Sequence, residues 1–137
     1  MATNGIQTER ERRCVKSGGF VLMALDGIVG GPSIPVEFLG ATTYFRRGIA
    51  TLHQITGAPV IPMMGRWGPD GGMDCIVNEP FAMPDSQGMT GEERARALMT
   101  VAARWLEAHV RSHPGELRGL ERYFLLRQPP DGFTEPP

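Results

Sequence analysis

One stretch, "TGEERARALMTVAARWLEAHVRSHPGEL" beginning at Thr90, constrains the fold more than any other. Thr90 and Glu93 stand at capping-box spacing, so hydroxyl and carboxylate can each accept from the other's backbone N–H. Leu98, Ala102, Trp105 or Leu106, and Val110 then trace one apolar face, and Pro114 with Gly115 ends the pattern. A helix with one apolar stripe has to lie against another layer of structure.

The remaining segments predict that layer. "TERERRCVKSGG" reads as the end of a charged helix stopped by Gly18 and Gly19. "FVLMAL", residues 20–25, is a continuous apolar run, as expected of a strand covered on both faces. "TTYFRRGIATLHQITG" puts Phe45, Ile49, Leu52 and Ile55 at helical spacing, with Thr42 or Thr43 as N-cap and Gly57 as stop, an amphipathic helix of about four turns. "APVIPMM" is the next apolar run, and the order strand, loop, helix, strand predicts a βαβ crossover with parallel strands. "RWGPDGGMDCIV" carries a Pro-Asp-Gly-Gly turn and reads as a hairpin adding an antiparallel strand. The expected fold class is α/β, with a mixed, mainly parallel sheet flanked by helices.

The chain has 137 residues, one domain's worth of core. Its formal net charge of -1 and pI near 6.3 argue against a nucleic-acid partner, which would want a basic face. Cys14 and Cys75 lie far apart, with no C-x-x-C spacing to suggest a metal, and read as reduced packing residues. The N-terminal stretch is polar and charged, and no apolar run reaches bilayer length, so membrane contact is expected to be peripheral. The proline-rich end, residues 130–137, is expected to be a disordered tail on a single domain spanning 1–129.

A nucleophile elbow, a P-loop, an H-E-x-x-H pair and a G-x-G-x-x-G turn are all missing. His53 sits at the edge of the helical stripe, His109 on the long helix and His113 before its terminal proline, and each reads as structural or solvent-facing. Two readings fit Asp26. At the carboxyl end of a predicted parallel strand it stands where open α/β sheets place ligand crevices; as Asp26-Gly27 it is equally a turn pair. The glycines at 30–31 let a backbone approach a ligand closely, and Arg46, Arg47 and Arg66 could meet a phosphate or form a solvated surface. The methionines would suit an adaptable apolar groove or ordinary core filling.

From Leu25 to Pro62 the chain, "LDGIVGGPSIPVEFLGATTYFRRGIATLHQITGAPVIP", resembles the second half of the bacterial lipid A biosynthesis acyltransferases, the lauroyl and myristoyl transferases of the lysophospholipid acyltransferase superfamily. The shared features are a strand ending in an acid (Asp26), an aromatic-containing loop with a glycine (Phe38-Leu39-Gly40), a Thr-started helix (Ala41-Thr42-Thr43) and the segment Gly57 to Pro62. "WLEAHVRSHPGELRGLERYFLLRQPP" is similar to the family's closing helix, its "HP" stop and its terminal Arg-x-Phe segment, here Arg122, Phe124 and Arg127. The likeness runs over roughly residues 10 to 129.

The resemblance implies transfer of a fatty acyl group from an acyl carrier protein or coenzyme A thioester to a lipid hydroxyl, without a cofactor or metal. It places the protein in the cytoplasm, peripherally at the inner membrane's cytoplasmic face. It implies a supporting role for Asp26 and substrate-binding roles for Gly27, Phe38, Gly40, Thr42, Thr43 and Arg46. The family's general base is a His in an H-x4-D/E motif, and this chain lacks it: the fifth positions after His53, His109 and His113 are Ala58, Pro114 and Arg118. An upstream segment missing from a truncated product, or an N-terminal half supplied by another chain, would provide the motif. The alternative is a noncatalytic relative that binds acyl chains, lipid headgroups or another protein. A sheet without its first strands would also expose a hydrophobic edge, which implies self-association.

Overall fold

The computed structural model describes residues 3–27, 31–116 and 126–134. Helix α1 (Thr3–Lys16) ends where expected. Gly18, at φ +88°, sends its N–H to the Val15 carbonyl, and Gly19 sends its own to Cys14, the paired bonds of a Schellman ending. Strands β1 (Ser33–Phe38) and β2 (Ala41–Arg46) form an antiparallel hairpin, and α2 (Gly48–Thr56) follows it. Strands β3 (Met63–Trp67) and β4 (Met73–Val77) form a second hairpin. The long helix α3 (Gly91–Ser112) and a 3-10 turn (Pro114–Glu116) come next.

The architecture is mixed α and β, but the mainly parallel sheet is not what forms. Among the described residues there are two separate two-stranded antiparallel sheets, each a hairpin. Three local outcomes explain the correction. First, "FVLMAL" is not a strand: it pairs with no neighbour and bends at Leu25 and Asp26, and without it there is no βαβ crossover. A continuous apolar run cannot distinguish a strand from coil packed on one side. Here Val21, Met23 and Leu25 are half-buried, while Phe20 and Leu22 point outward.

Second, residues 33–38 of the expected glycine- and proline-rich loop are a strand. Pro35 is tolerated in β1 because it lies opposite Tyr44, whose N–H points away from β1 to the Leu126 carbonyl at 2.7 Å. Third, "ATTYFR" is strand and not the start of a helix, which begins only at Gly48. Its β-branched and aromatic residues suit a pleated surface, and alternation sends Thr43 and Phe45 inward opposite Val36 and Ile34. Gly57 closes α2 as expected, with φ +69° and its N–H on the His53 carbonyl.

The core lies between the β1–β2 hairpin and α3. Ile34, Val36, Phe38 and Phe45 from the hairpin meet Ala95, Leu98, Met99, Ala103 and Val110 from the helix. Phe38 and Phe45 touch edge to face, with ring centroids 5.5 Å apart. The capping box at the start of α3 is present in full. Of the expected stripe, Leu98, Ala102 and Val110 are buried, and Trp105 and Leu106 sit at its margin. In the tail, Leu126 is buried against the core and Phe133 rests on the Tyr44 ring.

Candidate functional site

Asp26 does not stand at the end of a parallel strand, because that strand is absent. It occupies a turn, half-buried, and its carboxylate makes no hydrogen bond or ion pair with the described residues. Gly27 follows, with its N–H on the Ala24 carbonyl at 3.4 Å. Residues 28–30, including Gly30, lie outside the described residues, as do Arg122 and Phe124.

The other expected site residues are spread along the first hairpin. Phe38 is buried in the core, and Gly40, at φ +73°, sits exposed in the turn. Thr42 faces solvent, whereas Thr43 is fully buried and donates weakly to the Ala41 carbonyl at 3.3 Å. Adjacent strand positions point to opposite faces, so the two threonines do not converge. Arg46 lies at the open end, four residues or about 14 Å beyond Thr42. Its guanidinium bonds the Gly31 carbonyl at 3.0 Å and the Ser33 hydroxyl at 2.9 Å. Arg46 therefore anchors the chain that leads from Asp26 and Gly27 into β1. Arg47 forms an ion pair with Glu92 at 2.8 Å.

Sequence reasoning passed over a groove of about 250 Å³ between α2 and the first turns of α3, bordered by residues 83–89. Ala50, Ala95, Leu98, Met83 and Met89 give it apolar walls, and His53, Gln54 and Arg94 give it polar ones. Gln54 donates to the Gly91 carbonyl at 2.6 Å and Arg94 to the Met89 carbonyl at 2.7 Å, so both hold the groove's own backbone. His53 is placed differently. Its Nδ1–H donates to the Ala58 carbonyl at 2.7 Å, which orients the ring and leaves Nε2 uncommitted to the groove's backbone. The volume falls just below the roughly 300 Å³ where small-molecule sites begin.

The other two histidines serve the end of α3. Their rings stack with centroids 5.1 Å apart, and Arg66 Nη2 donates to His113 Nε2 at 2.7 Å, which ties the β3–β4 hairpin to the helix. Among the described residues no group of three or more His, Cys, Asp or Glu is placed to hold a metal ion. No helix among them is long and apolar enough to cross a membrane.

Beside the end of α1 lie the most exposed large apolar side chains among the described residues, Phe20 at 89% and Leu22 at 73%. Lys16 in the last turn of that helix is exposed as well, as is Arg13, which also pairs with Glu9 at 2.9 Å. Apolar tips beside cations are the two ingredients of attachment to an anionic lipid surface. No protein-family model matches the chain, and no curated protein matches it.

Proposed function

We propose that this protein handles fatty acyl groups at a lipid surface, as the distal part of an acyltransferase of the lipid A or lysophospholipid type. The observation that carries the lipid surface is the exposed pair Phe20 and Leu22 beside Arg13 and Lys16. The reaction class rests on the resemblance over Leu25 to Pro62 and over the closing segment. In that reaction the acyl C–S bond of a carrier-protein or coenzyme A thioester breaks and an ester bond forms to a lipid hydroxyl. The hydroxyl proton passes to a base and then to the departing thiolate. Asp26, half-buried and without an ion pair among the described residues, is available to hold a charged group near that lipid surface.

The base is the missing part. No H-x4-D/E spacing stands in these 137 residues, so the catalytic His and its carboxylate are supplied from outside them, by a further segment or by a second chain. The chain by itself then binds acyl groups and lipid without turning them over, at the cytoplasmic face of the inner membrane. The second reading, a noncatalytic acyl- or lipid-binding relative, is favoured by the same missing motif and shares the lipid surface. Co-sedimentation with anionic vesicles tests what the two readings share: the protein should partition with the vesicles, and a protein that stays wholly in the supernatant contradicts both.

A further inference from the structure

The groove between α2 and α3 is built by two helical ridges. On α2, Ala50, His53, Gln54 and the closing Gly57 fall at i, i+3, i+4 and i+7, so they share one face. On α3, Arg94, Ala97 and Leu98 do the same. Small residues keep the ridges apart: Ala50 and Ala95 line the groove while fully buried, and Gly57 brings no side chain. Met83 and Met89 border it with flexible thioether walls that adapt to what they cover.

The charge in the groove has one sign. Arg94 is a cation, His53 can become one, and no Asp or Glu stands among the described residues that line it. The acids nearest in sequence are engaged elsewhere. Asp85 accepts from the Gln87 N–H at 3.1 Å, Glu92 pairs with Arg47 at 2.8 Å, and Glu93 accepts from the Thr90 N–H at 2.7 Å. An anion is therefore the complementary occupant.

Two donors are placed to receive it. The bond from Gln54 to the Gly91 carbonyl sets the His53 level of α2 against the first turn of α3, next to Arg94. Arg94 spends Nη1 on the Met89 carbonyl, and its Nε–Nη2 edge makes no bond among the described residues. Such an edge can donate two parallel bonds to one carboxylate. His53 spends Nδ1–H on the Ala58 carbonyl, and its Nε2 also makes no bond among the described residues. On taking up a proton, Nε2 becomes the second donor.

We propose that this groove binds a small organic monocarboxylate, with the carboxylate on Arg94 and His53 and the apolar body against Leu98, Met83 and Met89. The cationic groups select the anion, and the apolar walls select a ligand with carbon surface to bury over inorganic phosphate or sulfate. This site is separate from the lipid surface at Phe20 and Leu22 and does not depend on it.

Benzoate is the probe, titrated at neutral pH while backbone amide shifts are followed by NMR. Binding should saturate with a dissociation constant below about 5 mM. The shifts should concentrate in residues 50–57 and 89–98. Benzamide has the same shape without the charge and should bind at least about tenfold more weakly, as should benzoate to Arg94→Gln. Arg94 is exposed, so that variant should stay folded, and circular dichroism would check it. The comparison of benzoate with benzamide on the parent protein needs no variant at all. Absence of saturable binding overturns the proposal. So does equal affinity for benzamide, benzoate affinity unaltered in folded Arg94→Gln, or shifts that gather around Phe20 and Leu22 instead of the groove.

Discussion

The backbone N–H of Leu39 donates to Glu107 Oε2 across 3.1 Å, joining the tip of the first hairpin to the middle of α3. Leu39 is the one described non-glycine residue in the left-handed region, at φ +50°, and Gly40 follows at φ +73°. Two positive φ values in a two-residue loop make a type I′ turn, which suits the twist of the strands but strains a leucine. Arg111 fixes the same carboxylate from the other side with two bonds to Oε1, at 2.6 and 2.9 Å. Glu107→Gln should therefore cost about 1–2 kcal/mol, since hydrogen bonds to a charged group exceed those to a neutral amide. Urea unfolding would measure it, and an unchanged midpoint would mean the turn holds without the helix.

The same carboxylate sets an acid limit. The Arg111 hydrogen bonds, and then the Leu39 N–H, hold Glu107 below the usual glutamate range. The backbone N–H and hydroxyl of Thr90 do the same for Glu93 in the capping box. For an acid whose pKa is depressed by folding, the stabilisation is complete above its unfolded value of about 4.3 and is lost as pH falls through the folded value. The melting temperature should thus be flat just above pH 4.3 and fall below it, less steeply in Glu107→Gln. An identical pH profile in that variant would contradict the assignment.

Thr43 separates packing from binding. Its side chain is fully buried opposite Val36, with only the 3.3 Å bond to Ala41 holding its hydroxyl. Thr43→Val should change stability by no more than about 0.5–1 kcal/mol, because it removes a buried hydroxyl together with a weak bond. Acyl binding should be untouched. A variant that folds normally but no longer binds an acyl thioester would put Thr43 in contact with ligand.

Phe20 and Leu22 should decide lipid attachment. Changing both to serine removes two side chains worth about 1.5–3 kcal/mol each when fully buried, so partition into anionic vesicles should drop at least tenfold. The melting temperature should not change, since both are exposed in the folded chain. Added salt should weaken the parent's attachment by screening Arg13 and Lys16. Unaltered partition of the double variant would move the lipid surface elsewhere.

Local signals in the sequence were reliable where the chemistry was local. The capping box at Thr90, the glycine endings of α1 and α2 and the Pro-Asp-Gly-Gly hairpin all form as expected, because each depends on a few neighbouring residues. What failed was the pairing of strands. "TTYFRR" joined to "GIATLHQITG" satisfies helical spacing, yet Phe45 is needed beside Phe38, and the turn at Leu39 and Gly40 that brings them together has no Asn-Gly or Gly-Gly signature. Asp26 inherited its expected position from a separate misreading, that of "FVLMAL" as a strand. The exposed face of β3 was not legible in the sequence, because Ile61 to Trp67 does not alternate in polarity: Met64 is as apolar as Met63, and only the fold sets which of the two is exposed. His53 carries no such signal, because only the end of α2 at Gly57 brings the Ala58 carbonyl back to its ring.

The most direct test of the functional account is equilibrium binding of a long-chain acyl-coenzyme A, with free coenzyme A as control and thiol release followed in the same sample. The account expects saturable binding that requires the acyl chain, weakened in Asp26→Asn, with no thiol released when lipid acceptor is added. No binding by the folded protein would contradict it outright. Thiol release coupled to acylated lipid, and lost in His53→Gln, would contradict a base supplied from outside these 137 residues and assign that role to His53.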